Sequence, residues 1–123
     1  MRLLLDTHVL IWLGSAPDLV PTNVRQAVAV SDETFVSVVS AWEYGVKRLK
    51  FPNEFCEPFE ILVAGLGHVP LDLPFECHRY SESLPPIHRD PFDRMLIAQA
   101  LHLDLTLVSA DETIRRYPVP TLW

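Results

Sequence analysis

Hydrophobic residues along this chain occur in two kinds of stretch, short uninterrupted runs and longer stretches with helical spacing. The short runs, such as Leu3 to Leu5, are bounded by turn residues and are typical of parallel strands buried on both faces. We predict strands at residues 1–5, 34–38, 68–71 and 105–108, with an edge strand at 119–121. We predict helices at residues 7–13, 21–30, 41–49, 58–65, 74–84, 91–103 and 111–117. Because strands and helices alternate, the pattern favours one parallel sheet with right-handed crossovers.

Composition indicates how large a core the chain can form. A chain of 123 residues with 49% hydrophobic residues can bury one sizeable core, so we expect residues 1–123 to form a single domain. We expect Trp12 and Trp42 to pack in this core. No apolar run is long enough to cross a bilayer and no secretory leader is recognisable, which predicts a cytoplasmic protein without membrane contact.

The net charge of −6 limits how this chain can meet nucleic acid. Neutralisation of phosphates by basic side chains supplies most of the non-specific affinity for nucleic acid, and an acidic chain lacks that source. Binding of phosphate would therefore need bound cations that invert the local field. The charge excludes a protein that holds nucleic acid by bulk electrostatics alone.

Four acidic residues follow predicted strands or begin predicted helices. They are Asp6, Glu43, Asp93 and Asp111. In an open α/β sheet such positions meet at the carboxyl edge of the strands, where ligands bind. We therefore expect these four carboxylates to lie close together.

Asp93 is the acid that a surface position explains least well. The helix at residues 91–103 has Asp90 as its expected N-cap and Pro91 at its first position. With about 100 degrees between successive residues, Asp93 projects into the apolar sector that also holds Leu96 and Ile97. An inward carboxylate loses hydration, so it has to be paired, hydrogen-bonded or metal-bound to stay ionised.

Helix capping offers a simpler explanation for Glu43 and Asp111, whereas Asp6 follows a buried strand and faces the same loss of hydration as Asp93. Ser40 and Glu43 have the spacing of a capping box, in which each side chain bonds the other residue's amide. Ser109 and Glu112 have the same spacing. Asp111 lies inside that second box, which leaves open whether Asp111 or Glu112 is the fourth acid of the cluster.

The chemistry of the acids points to a hard divalent cation. Carboxylates that converge on one sheet edge repel one another, and a cation removes that repulsion. Mg²⁺ prefers oxygen ligands and is commonly held by one or two carboxylates together with substrate phosphates. The chain has no zinc-like spacing of histidine or cysteine, which favours Mg²⁺, with Mn²⁺ as a substitute. Such a site suits hydrolysis of a phosphodiester.

Four segments carry a resemblance to a known family. They are residues 3–8 (LLLDTH), 40–43 (SAWE), 88–100 (HRDPFDRMLIAQA) and 107–111 (LVSAD). Together they resemble PIN-domain ribonucleases, and most closely the VapC-type toxins of bacterial toxin–antitoxin pairs. The resemblance runs nearly end to end and in the family's order, with residues 90–100 as its most specific part.

The resemblance implies a three-layer α/β/α sandwich with a central parallel sheet, and an endoribonuclease that cleaves RNA with Mg²⁺. It assigns catalysis and metal binding to Asp6, Glu43, Asp93 and Asp111, with the first and third as the strongest ligands. Secondary positions near the site fall on Thr7, Ser109 and Asp90. It further implies a toxin that forms a homodimer and is covered by a cognate antitoxin, whose basic side chain enters the acidic cluster.

Other classes of protein share this alternation of strands and helices. A phosphatase of the haloacid-dehalogenase kind needs a second Asp two positions after the first, where this chain has His8. A response-regulator receiver needs a phosphoacceptor Asp after a central strand and a late-strand Lys, and neither is evident. One alternative stays open, a non-catalytic α/β interaction or signalling module whose acids only cap helices.

Overall fold

The computed structural model describes residues 1–123 as five strands, six α-helices and three short 3-10 helices. The strands are β1 (Arg2–Leu5), β2 (Glu33–Ser37), β3 (Val69–Leu71), β4 (Thr106–Val108) and β5 (Thr121–Leu122). The α-helices are α1 (Thr7–Ser15), α2 (Thr22–Val30), α3 (Val38–Lys50), α4 (Phe59–Leu66), α5 (Tyr80–Ser83) and α6 (Pro91–Leu103). The 3-10 helices are Pro17–Leu19, Phe75–Arg79 and Ile114–Arg116. None of the helices is both long and apolar enough to span a lipid bilayer.

The five strands form one parallel sheet in the order β3-β2-β1-β4-β5. The chain moves outward from β1 through β2 to β3, and then crosses back to place β4 on the other side of β1. The carboxyl ends of β1 and β4 therefore form the point where the strand order reverses. Open α/β sheets bind ligands at such a switch point.

Each face of the sheet is covered by its own hydrophobic core. Leu4 of β1 packs into a core that includes residues of α3 and α6, such as Val39 and Leu96. Leu3 and Leu5 pack on the opposite face against residues of α1, α2 and α4. This follows from the two-residue period of a strand, which turns successive side chains to opposite faces. Helices on both faces of a parallel sheet confirm the predicted three-layer α/β/α sandwich.

Helix α3 begins three residues earlier than predicted, and the predicted capping box of Ser40 and Glu43 is wrong. Strand β2 ends at Ser37, whose hydroxyl oxygen accepts a hydrogen bond from the Val39 amide at 3.0 Å and caps the helix. Ser40 consequently lies inside the first turn. Both members of the supposed box are thus free to face the protein interior.

Two predicted helices are shorter and tighter than expected. Residues 74–84 form a 3-10 helix, Phe75–Arg79, followed by the single turn of α5. Residues 111–117 contain only the 3-10 helix Ile114–Arg116. The predicted capping box of Ser109 and Glu112 is also wrong, because the Ser109 oxygen accepts from the Asp111 amide and the Asp111 carboxylate accepts from the Thr113 amide. These local bonds build a turn where a helix start was expected.

The expectation that Trp42 packs in the core is wrong as well. Its side chain is 71% exposed on the outer face of α3. Trp12 is partly buried and packs against the core that contains Leu3 and Leu5. The difference arises because α3 packs the face that carries Tyr44 against the protein, and Trp42 lies on the opposite side of the helix.

Candidate functional site

A cavity of about 350 Å³ opens at the carboxyl ends of β1 and β4. Its lining consists of Asp6, His8, Trp12, Glu43, Asp90, Asp93, Ala110 and Asp111. The structure therefore brings together all four acids predicted from the sequence, from four separate segments of the chain. Glu112 is exposed and does not line the cavity, which places Asp111 in the cluster instead.

Two cavities of nearly twice that volume, about 640 and 700 Å³, lie elsewhere on the molecule. The first, between the 3-10 helix Phe75–Arg79 and α6, has no carboxylate in its lining. The second lies between α3 and α4, and its two acids, Glu60 and Asp72, are both exposed. The smaller acidic cavity is the better candidate because it alone gathers buried charged groups from several elements.

Asp6 lies directly after β1 and is only 5% exposed. It occupies the N-cap position of α1, yet its carboxylate makes no capping hydrogen bond to that helix. Its Oδ2 atom instead accepts a hydrogen bond of 2.8 Å from the hydroxyl of Ser109. Burial raises the pKa of Asp6, and the hydrogen bond from Ser109 partly opposes that rise.

Glu43 reaches the cavity from α3 and is 8% exposed. Its Oε1 atom lies 2.6 Å from the hydroxyl oxygen of Thr7, which is itself 2.9 Å from the Ser40 hydroxyl. The ammonium nitrogen of Lys47 lies 3.7 Å from Oε2 and 3.1 Å from Nε2 of His8. Thr7 therefore supports the carboxylate as a hydrogen-bond donor, and Lys47 supplies a positive charge beside it.

Asp93 points inward from the first turn of α6 and is 9% exposed, as its place in the apolar sector predicts. Burial raises its pKa from 3.8 to about 7, and the carboxylates of Asp6, Asp90 and Glu43 add to the rise. A hydrogen bond between its Oδ2 atom and Nε2 of His88, at 3.2 Å, opposes the rise. A carboxylate with such a pKa holds negative charge at neutral pH only at an energetic cost.

Asp111 and Asp90 stand at the rim of the cavity. One oxygen of Asp111 accepts from the Thr113 amide at 2.8 Å. Asp90 is exposed and acts as the predicted N-cap of α6, since its Oδ1 atom accepts from the amides of Phe92 and Asp93. Asp90 therefore has a structural task that explains its position.

Helix capping does not account for the cluster as a whole. Among the four predicted acids, Asp111 is the one whose carboxylate closes a local turn, by accepting from the Thr113 amide. The carboxylates of Asp6, Glu43 and Asp93 contact side chains instead. A module whose acids only cap helices would not bury three carboxylates in this way, because burying each of them costs free energy.

The four carboxylates together fit a hard divalent cation. The carboxylates come from the end of β1, from α3, from α6 and from the loop after β4. Two of them, Asp6 and Asp93, have raised pKa values because they are buried together with like charges. A divalent cation relieves both causes, and carboxylate oxygens are the ligands that Mg²⁺ and Mn²⁺ prefer.

Two residues beside this site were not among those predicted from the sequence. The imidazole of His88 contacts Asp93, and the hydroxyl of Tyr117 lies 3.0 Å from Nδ1 of His88. His88 was visible only as the first letter of the segment at residues 88–100. Its contact with Tyr117 joins positions 29 residues apart, which local spacing does not reveal.

Several solved structures are similar to this chain over nearly its whole length. A VapBC2 chain from Rickettsia felis, solved with a promoter DNA fragment, has a TM-score of 0.76 and 18% identity, covering 99% of this chain and 98% of that chain. A chain of DNA-bound VapBC from Salmonella typhimurium has a TM-score of 0.71 and 16% identity, covering 99% and 97%. A chain of FitAcB from Neisseria gonorrhoeae has a TM-score of 0.62 and 16% identity, covering 98% and 96%. At identities this low, the structural similarity establishes a shared fold and nothing more specific.

Comparison of the sequence with family models identifies the family itself. No curated protein matches the sequence significantly. The model of the PIN domain matches residues 3–120, a span that contains α6 and all four acids of the cavity. The resemblance noted in the sequence is thereby confirmed, and the chain belongs to the PIN domain family.

Proposed function

We propose that this protein is an endoribonuclease that depends on a divalent cation, Mg²⁺ with Mn²⁺ as a substitute. The observation that carries the proposal is the convergence of Asp6, Glu43, Asp93 and Asp111 on one cavity at the switch point of the sheet. Membership of the PIN domain family supports the same activity. Acidic residues alone would repel a phosphodiester, so the proposal requires the cation as well as the carboxylates.

Asp6 and Asp93 are the strongest candidates to hold the cation, with Glu43 and Asp111 completing the cluster. When bound, the cation would supply positive charge to the phosphate and make a nearby water more acidic. The chain's own contribution is to keep the carboxylates oriented. Ser109 holds Asp6, and Thr7 holds Glu43, each through a single short hydrogen bond.

RNA cleavage by purified protein tests this function. We expect cleavage with Mg²⁺ or Mn²⁺, none with EDTA, and none with Asp6→Asn or Asp93→Asn. Glu112→Gln is the matched control, because it removes one negative charge beside Asp111 from an exposed side chain outside the cavity. Equal cleavage by the wild-type protein and both Asn variants would contradict the assignment and indicate a contaminating nuclease.

We also propose that the protein is the toxin of a toxin–antitoxin pair. The similar structures from Rickettsia felis and Salmonella typhimurium are VapBC complexes, and the acidic cavity would favour a basic side chain from a partner. Induced expression should slow bacterial growth, and co-expression of the adjacent reading frame should restore it. The Asp93→Asn variant is the control that should not slow growth. Normal growth with abundant soluble wild-type protein would contradict a toxic role.

We further propose that residues 1–123 act as a single PIN domain, as a homodimer in the cytoplasm. The single domain is supported by the two cores that share one sheet. The dimer and the location are proposed from the resemblance to the VapC-type toxins of the PIN domain family. Light scattering after size exclusion should give twice the mass of 14.0 kDa calculated for one chain. A single-chain mass at micromolar concentration would contradict the dimer.

A further inference from the structure

His88 is partly buried at the edge of the acidic cavity, in the loop that leads into α6. One ligand atom each from His88, Asp93 and Asp111 lie within 4.8 Å of one another. That proximity allows two roles for the imidazole. It could bind a cation directly through Nε2, or it could donate a hydrogen bond from Nε2 to Asp93.

The hydrogen bonds of Tyr117 distinguish these roles. Its phenol oxygen accepts hydrogen bonds from the backbone N–H of His88 at 3.1 Å and from the guanidinium Nη1 of Arg94 at 3.1 Å. A phenol oxygen carries one proton and two lone pairs, so these two donors occupy its accepting capacity. The hydroxyl proton of Tyr117 is therefore left to be donated to the third neighbour, Nδ1 of His88, at 3.0 Å.

Arg94 keeps this arrangement from reversing. Its guanidinium also donates to the carbonyl oxygens of Pro85 at 2.8 Å, Ser81 at 3.1 Å and Leu84 at 3.3 Å. Arginine is always protonated and has no accepting atom, so its bond to Tyr117 has only one direction. These four partners hold the guanidinium in place beside the phenol oxygen.

The direction of the hydrogen bond at Nδ1 of His88 fixes the direction of the one at Nε2. Because Nδ1 accepts the hydrogen bond from the Tyr117 hydroxyl, the proton of the neutral ring resides on Nε2. Nε2–H points to Oδ2 of Asp93 at 3.2 Å, and a carboxylate oxygen accepts. A nitrogen that carries a proton has no lone pair for a metal ion. The chain Arg94–Tyr117–His88–Asp93 therefore places a donor at the carboxylate and withholds a ligand from the cation.

We propose that Tyr117 and His88 are positioning residues that orient the Asp93 carboxylate toward the divalent cation, and that His88 is not itself a ligand. The inference rests on the proposed function, because it presupposes a cation at the acidic cluster. It assigns an oxygen-only set of protein ligands to that cation. It also gives the segment at residues 88–100 a physical role for its first residue.

Nuclear magnetic resonance tests the tautomer without RNA. Long-range ¹H–¹⁵N correlations of the uniformly labelled protein should show His88 protonated at Nε2, both before and after saturation with Mg²⁺. The Tyr117→Phe variant removes the donor to Nδ1 and should allow the Nδ1–H tautomer to appear. Protonation of wild-type His88 at Nδ1, or loss of Nε2–H when Mg²⁺ binds, would overturn the inference.

Calorimetric titration with Mg²⁺ tests the positioning role. His88→Gln retains an N–H group at about the place of Nε2–H, so it should keep the wild-type affinity within a few-fold. His88→Leu removes the donor and should weaken Mg²⁺ binding roughly 10- to 100-fold, as is typical when a partner that orients a metal ligand is lost. Thermal unfolding of each variant verifies that it is folded. Equal losses in both variants would indicate a direct ligand and overturn the inference, as would equal wild-type affinity in both.

These measurements separate the inference from the proposed function. If the tautomer and the affinities come out as expected but RNA is not cut, the ribonuclease proposal fails and the role of His88 stands. If RNA is cut but His88→Gln binds Mg²⁺ as poorly as His88→Leu, only the role of His88 fails. Absence of any Mg²⁺ binding by the wild-type protein would overturn the inference, because Asp93 would then have no cation to face.

Discussion

Replacing Asp93 with Asn should stabilise the metal-free protein at alkaline pH while abolishing the proposed metal site. The pKa of Asp93 is raised from 3.8 to about 7, first because burial strips water from the carboxylate and then because neighbouring carboxylates repel it. Between these two values the native state holds a proton that the unfolded chain has released. Stability therefore falls as pH rises from about 4 to about 7, and stays low above that range.

The size of the effect follows from the shift. A rise from 3.8 to about 7, at about 1.4 kcal/mol per pKa unit, corresponds to about 4 kcal/mol at pH 8. Asn is nearly isosteric with Asp, and its side-chain carbonyl can accept the hydrogen bond from His88. We expect the variant to gain about 2 to 4 kcal/mol in unfolding free energy at pH 8, the lower figure applying if the neutral amide is less well bonded. Near pH 4 the gain should nearly vanish.

Urea unfolding in EDTA at about pH 4 and at pH 8 measures this difference for the wild-type protein and Asp93→Asn. Adding Mg²⁺ at pH 8 should stabilise the wild-type protein, because a ligand that binds only the native state shifts the equilibrium, and should leave the variant unchanged. Asp104→Asn is a suitable control, since it makes the same chemical change at the end of α6, outside the cavity. A variant less stable than wild type at both pH values, or a pH-independent difference, would refute the electrostatic reasoning.

Three further predictions concern single contacts. Ser109→Ala removes the donor to Asp6 and the acceptor for the Asp111 amide, so urea unfolding should show a loss of about 1 to 3 kcal/mol and calorimetry a weaker affinity for Mg²⁺. Ser37→Ala removes the N-cap of α3 and should cost about 0.5 to 2 kcal/mol in urea unfolding, with RNA cleavage by the folded protein unchanged. Asp104→Gly relieves the left-handed backbone at φ 56° and should raise the melting temperature slightly, by a gain of up to about 1 kcal/mol. A lower melting temperature would contradict the last prediction.

Local sequence signals predicted the bounds of those elements whose ends carry capping residues or proline. Helix α6 has the predicted bounds because Asp90 caps it through its own carboxylate and Pro91 suits its first position. Helix α3 shows the opposite case. Ser37 and Ser40 are both capable N-caps, and local pattern favoured the second because Glu43 stands three residues later. Ser37 is the N-cap in the structure because β2 ends there, and the bounds of β2 depend on its pairing with β1 and β3.

The candidate site likewise has a part that local sequence patterns predict and a part that they do not. Its acids could be predicted because parallel strands all point their carboxyl ends to one edge of the sheet, whatever lies between them. The contacts that orient those acids could not. Ser109 reaches Asp6 across 103 positions of sequence, and Tyr117 reaches His88 across 29. No periodicity connects such pairs, because the packing of distant segments brings them together.

By itself, then, the amino-acid order determined the alternation of strands and helices and the convergence of carboxylates, and it predicted the requirement for a cation. Each of these depends on short-range patterns or on the total charge. Only the tertiary structure decided that Trp42 faces solvent, that Asp111 rather than Glu112 lines the cavity, and that the imidazole of His88 lies beside Asp93. These features depend on where a side chain is aimed, and packing between distant segments sets that direction.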